Sequence, residues 1–130
     1  MNEDDLKRWF GEYLDTFAAC GRGEREGDAL LAYYGVPIVF TTDAGCFVPM
    51  SDEQVLAVAK QQIDGMRAAQ YDHSEVLESA TTIVNATSAL HRGSFARVRK
   101  DGSEIGRVVC TYLITNGASG RRISALLVHH

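Results

Sequence analysis

Apolar side chains recur at three- and four-residue spacing through the first part of the chain and at every second position through the last. Leu6, Trp9, Phe10, Tyr13, Leu14 and Phe17 share one helical face, which predicts a helix over Asp4 to Cys20. Acids at its start suit the helix dipole, and Gly21 supplies a stop. A second short helix is expected over Asp28 to Tyr34, with Asp28 as its N-cap and Gly35 closing it. Val36 to Thr42 reads as a strand, turned by Asp43-Ala44-Gly45 into Cys46-Phe47-Val48. Ser51-Asp52-Glu53-Gln54 is a capping box that opens a third helix, with Val55, Leu56, Ala59, Ile63 and Met66 on one face and an end near Gln70.

Beyond Tyr71 the period is two. Strands are expected at His73 to Ala80, Thr82 to Arg99, Glu104 to Thr115 and Arg121 to His129, with Asp101-Gly102 and Asn116-Gly117 as the last two turns. No proline follows Pro49, as a continuous antiparallel sheet requires. Three helices ahead of long meandering strands make an α+β plan. Strands this long must bend, and the helices then close the concave side, leaving a half-cone with an internal cavity.

Composition narrows the function. A chain of 130 residues, 45% hydrophobic and 23% charged, fills one domain over residues 1–130 and buries a core without metals or disulfide staples. The net charge of −4 speaks against nucleic-acid binding through bulk charge. The basic segment Arg92 to Arg122 alternates with apolar residues, as a solvated sheet face does. No signal-peptide pattern and no membrane-length apolar run is present, so a cytoplasmic protein with no membrane partner is expected. Cys20, Cys46 and Cys110 lie far apart and read as reduced thiols. His73, His91, His129 and His130 lack ligand spacing, so no metal and no cofactor is expected. Gly21 to Gly27 superficially resembles a phosphate loop, but it follows a helix, carries acids and lacks Gly-Lys-Ser/Thr; it reads as a connector.

The order of elements, with the closing runs Thr111 to Thr115 and Gly120 to His129, resembles the nuclear transport factor 2-like superfamily, especially its bacterial SnoaL-like members of unassigned activity. The resemblance covers nearly the whole chain and implies a cone-shaped, cystatin-like half-barrel. Many relatives have Gly-Trp-Arg-Ile where this chain has Gly120-Arg121-Arg122-Ile123, so an aromatic is missing there. The superfamily holds isomerases, cyclases, dehydratases, hydrolases and non-enzymatic binders, so the fold leaves the chemistry open. Tyr13 stands about where the isomerases of this fold carry an oxyanion-stabilising tyrosine. The carboxylate base of their first strand has no counterpart in Val36 to Thr42, which argues against proton abstraction of that kind.

The Asp101-Gly102 turn pairs residues whose numbers sum to about 203, placing His91 opposite Tyr112, Gly93 opposite Cys110 and Phe95 opposite Val108. On this register the opposite, solvated face carries Arg92, Ser94, Arg107 and Thr111. In the last strand Ile123, Ala125, Leu127 and His129 are expected to join the inner face. The candidate catalytic groups are therefore His91 and Tyr112. The candidate ligand-binding residues are Tyr13, Phe17, Phe40, Phe95, Cys110, Leu127 and His129. His91 and His129 also read as core or rim histidines bonded to backbone carbonyls, the tyrosines as packing residues, and Cys110 as a small buried hydrophobe. Two functions compete: a small-molecule protein with an apolar pocket for a hydrophobic or aromatic metabolite, whether binder or cofactor-independent isomerase, cyclase or dehydratase; and a non-catalytic interaction module. A homodimer through the outer sheet face, mixing Leu90, Thr111 and Leu113 with Arg92 and Arg107, is what the resemblance implies.

Overall fold

A computed structural model describes residues 1–130. Helix α1 spans Glu3–Gly21 and a 3-10 helix spans Gly27–Ala32. Strand β1 (Tyr34–Thr42) and the short β2 (Gly45–Phe47) precede helix α2 (Asp52–Ala68). Four long strands follow: β3 (Tyr71–Asn85), β4 (Ser88–Arg99), β5 (Glu104–Gly117) and β6 (Gly120–Val128). They form one six-stranded sheet in the order β2-β1-β6-β5-β4-β3. Every pairing is antiparallel except β1 with β6. This is the α+β plan expected from the periodicity.

Both α-helices begin with side-chain caps. Asn2 accepts from the Asp5 amide at 3.1 Å. Ser51 accepts from the Gln54 amide at 3.2 Å, while Gln54 reaches back to accept from the Met50 amide at 2.7 Å. Leu6, Phe10, Tyr13 and Phe17 of α1, with Val55, Ala59, Ile63 and Met66 of α2, are buried with the sheet residues in one core. Neither helix is long and apolar enough to cross a membrane.

The strand boundaries depart from the expected ones in one important place. The segment read as a single strand from Thr82 to Arg99 is folded back on itself, and β3 runs through Thr81 without a break. The reversal falls at Ala86-Thr87, where the Asn85 carboxamide oxygen accepts from the Thr87 amide at 2.9 Å and from the Ser88 hydroxyl at 2.9 Å. An asparagine side chain makes this turn with no glycine, so the usual turn dipeptides are absent. The last hairpin turns at Ala118-Ser119, two residues beyond Asn116-Gly117, with Gly120 at φ +90°. The second helix is a 3-10 segment flanked by Glu26, and Asp28 does not cap it.

Five register shifts interrupt the ladders from β3 to β6. Each adds a residue on one side of a pair and bends the strand, which is how long strands curl into a concave sheet. One of them decides which side chains enter the cavity. On the β4–β5 hairpin the register is the expected one, with His91 opposite Tyr112, Gly93 opposite Cys110 and Phe95 opposite Val108. Between β5 and β6 the pairs Leu113–Ala125 and Ile114–Ile123 skip Ser124. Ile123 therefore faces inward, but beyond the skip Leu126 and Val128 take the inner positions. Ala125, Leu127 and His129 face outward, contrary to expectation. His129 bonds through Nε2 to Thr111 Oγ1 at 2.7 Å on the outer face. An extra residue reverses the alternation for every side chain that follows it.

Candidate functional site

The inner residues of β4, β5 and β6 face α1 across a cavity of about 260 Å³. Thirteen residues line it and nine are hydrophobic, among them Leu14 and Phe17 of α1, Phe95 of β4, Val108 of β5, and Leu126 and Val128 of β6. Thr42, Gln62, Ser74 and Arg97 are polar, and the phenols of Tyr13 and Tyr112 reach the same space. A second hollow of about 290 Å³ adjoins it through the shared walls Thr42, Gln62, Leu126 and Val128, and extends to Phe40, Val58 and Phe47.

Helical spacing aims Tyr13 inward, one turn before Phe17. Its hydroxyl lies 2.9 Å from that of Tyr34, and either can be the donor. Burial holds the Tyr13 phenol well above its usual value of 10.0, helped by the neighbouring phenols of Tyr34 and Tyr112. Burial likewise pushes Tyr34 up to about 12 and Tyr112 well above 10.0. The Cys110 thiol is raised for the same reason. These groups keep their protons at neutral pH and act as donors, not as bases or nucleophiles.

Among the expected site residues, Tyr13, Phe17, Phe95, Cys110 and Tyr112 surround the cavity between α1 and the sheet. Phe40 is buried and lines the adjoining hollow, with its ring 6.0 Å from that of Tyr34. Leu127 and His129 stand on the outer face. His91 is on the inner face and only 6% exposed, but it is not part of the cavity wall. Its ring lies 4.2 Å from Phe10, and Nδ1 meets Thr81 Oγ1 at 2.8 Å, a side-chain partner in place of a backbone carbonyl. Burial, with a small contribution from Lys7, lowers its pKa below 6.5, so the imidazole is neutral at pH 7.

Arg97 is the residue that pattern reading passed over. It belongs to the basic segment expected on the solvated face, yet it shares the inner face with Phe95 and lines the cavity. Its guanidinium carbon lies 5.9 Å from the centre of the Phe17 ring. The signal was present in the sequence, because Arg97 has the same two-residue parity as His91, Gly93 and Phe95. Thr42, Gln62 and Ser74 carried no such signal, since β1, α2 and β3 meet only in the folded chain.

A curved sheet closed by helices places the chain among cystatin-like, NTF2-like folds. The chain belongs to the NTF2-like protein family DUF6841, whose sequence profile matches residues 3–130. Among solved structures it is similar to a domain of unknown function with a cystatin-like fold from Nostoc punctiforme, at TM-score 0.70 and 21% identity over 97% of this chain and 75% of that one. An NTF2-like protein of unknown function from Shewanella oneidensis superposes at TM-score 0.73 and 15% identity, over 98% of both chains. An NTF2-like protein with a cystatin-like fold from Novosphingobium aromaticivorans gives TM-score 0.72 and 10% identity over 96% and 79%. At these identities the likeness is one of fold. No curated protein matches the chain in sequence.

Proposed function

We propose that this NTF2-like protein binds a small hydrophobic or aromatic molecule between α1 and the sheet. The observation that carries the reading is the cavity of about 260 Å³ walled mainly by apolar and aromatic side chains, with a few polar groups to orient an occupant. For scale, an engineered apolar cavity on the order of 150 Å³ holds one benzene ring. Tyr13 and Tyr112 are protonated donors suited to a carbonyl or hydroxyl oxygen of the ligand. An isomerase, cyclase or dehydratase role would use His91 as acid or base, with Tyr112 polarising the substrate. Binding without turnover is favoured, because His91 is already bonded to Thr81 and stands outside the cavity wall. A thermal-shift screen of aromatic and aliphatic metabolites tests this, repeated on Val108→Phe, which fills the cavity. Ligands that stabilise the native protein and not the variant support the reading; ligands that stabilise both equally refute it. Turnover of a hit that is lost in His91→Ala would restore the catalytic role.

A second proposal concerns the outer sheet face. The skip at Ser124 sends Ala125 and Leu127 outward to join Leu90, Leu113 and Val109, and Leu90 is 42% exposed. Packing a second copy against this face would cover it and leave the cavity on the other side of the sheet free. Sedimentation at micromolar concentration should give a dimer mass, reduced towards monomer by Leu90→Lys; a native monomer would refute it. The three free cysteines agree with a reducing compartment such as the cytoplasm.

A further inference from the structure

Arg97 makes no ion pair with any carboxylate of the chain. Its only specific contact is the face of Phe17, and the cavity wall contains neither Asp nor Glu. Taking a guanidinium part-way out of water costs free energy unless an anion meets it. The fold nevertheless holds Arg97 half-buried at this wall. Its cross-strand partners are Ser74 on one side and Gly106 on the other. Gly106 presents no side chain there, and a Cβ built on it would meet no atom within 4 Å. The Ser74 hydroxyl is held 2.9 Å from that of Tyr71 and adds a polar group at the same end.

From these observations we infer that the cavity takes an aromatic monocarboxylate, with Arg97 holding the carboxylate and the ring lying inward against Phe95, Val108 and Cys110. The inference rests on the ligand-binding reading of the cavity and narrows its ligand class. One guanidinium fork matches one carboxylate with two parallel N–H···O bonds. A phosphate dianion would carry one charge more than the single cation of this wall can neutralise. The rings of Tyr13, Phe17, Phe95 and Tyr112 around the remaining space favour a flat aromatic body over a polar one. The carboxylate stays at the Arg97–Ser74 end, while the Tyr13 and Tyr112 phenols meet any ring substituent that accepts a hydrogen bond.

Calorimetric titration of the native protein with 2-naphthoate and with 2-naphthamide, its uncharged counterpart, tests the assignment without any mutation. The acid should bind about tenfold to a hundredfold more tightly than the amide, as a charge-assisted pair inside a protein does. In Arg97→Gln the acid should fall to the affinity of the amide, while the amide keeps its own. Arg97→Lys should recover part of the acid preference, because it keeps the charge and loses the fork. Equal binding of acid and amide by the native protein, or an acid preference that survives Arg97→Gln, would overturn the carboxylate assignment and leave the apolar-ligand reading standing. Failure of both compounds to bind would overturn the aromatic-acid inference, and the wider metabolite screen then decides the apolar-ligand reading separately.

Discussion

His91 and Arg97 stand on the same inner face of β4, yet their surroundings are opposite. Around His91 the cone is closed: Phe10 lies against the imidazole, Tyr112 stands 6.1 Å away across the hairpin, and Ala89 and Ile114 beside them are fully buried. The one hydrogen-bonding need of the ring that the structure resolves is met by Thr81. Around Arg97 the cone is open, and the guanidinium has an aromatic face and the cavity beside it. Two basic residues on one strand face thus serve different ends. A satisfied polar group inside a packed core belongs to stability. A charge held without a partner at a cavity wall is a place for something else to bind.

The largest expected effect breaks the closed end. Phe10→Ala should cost about 3–5 kcal/mol in urea denaturation, because its ring is buried and packs against Tyr13, His91 and Tyr112. Phe17→Ala, at the cavity wall, should cost about 2 kcal/mol or less, since part of that ring already faces space. Equal losses would mean that the cavity is filled in solution.

Two glycines sharpen the same contrast. A Cβ at Gly21 would come within 2.6 Å of the Tyr71 ring and 2.7 Å of the Met66 methyl, and both side chains are buried. Gly21→Ala should therefore cost about 1–3 kcal/mol through overpacking. A Cβ at Gly93 would clash with the Phe95 ring. Phe95 borders the cavity and can swing into it, so Gly93→Ala should be the milder change in thermal melts while weakening any ligand bound there. A Gly93→Ala protein less stable than Gly21→Ala would show that Phe95 has no such freedom.

Protonation probes the closed end more gently. Burial lowers the pKa of folded His91, so well above pH 6.5 the imidazole is neutral in folded and unfolded chains alike and contributes no slope. Below 6.5 the unfolded chain takes up a proton that the folded one refuses, and stability falls until the folded-state pKa is passed. His73 acts in the opposite sense. Asp72, and then Glu75, raise its pKa, so its contribution is complete below 6.5 and disappears as pH rises through the raised value. Denaturation midpoints from pH 7.5 to 5 should therefore fall less steeply in His91→Asn than in the native protein, and more steeply in His73→Asn. Identical slopes for native and His91→Asn proteins would show that burial leaves the imidazole pKa of the folded chain where it is in the unfolded one.

The smallest effect belongs to the open end. Arg97→Leu should leave stability within about 0.5 kcal/mol of native or raise it slightly, because it removes a partly desolvated charge that has no partner. A loss of more than about 2 kcal/mol would mean that Arg97 supports the fold through contacts beyond Phe17.

Periodicity and turn chemistry alone determined the α+β plan, the amphipathic face of α1, the capping box of α2 and the β4–β5 register, because each depends on neighbours close in the chain. The Asp101 side chain accepts from the Ser103 amide at 2.8 Å and Gly102 takes φ +88°, so the turn that sets the pairing of His91 with Tyr112 is written in adjacent residues. The β3–β4 turn was equally local but used an asparagine side chain instead of a glycine, and so went unread. Only the tertiary structure decided the skip at Ser124 and the fates of Leu127 and His129. That skip is set where β6 must pair with β5 on one edge and run parallel to β1 on the other. No local preference of Ile123-Ser124-Ala125 specifies such a compromise, since it arises from matching strands that lie far apart in sequence. The same holds for the cavity: its wall draws on both α-helices and five strands, and the room beside Arg97 exists only where they meet.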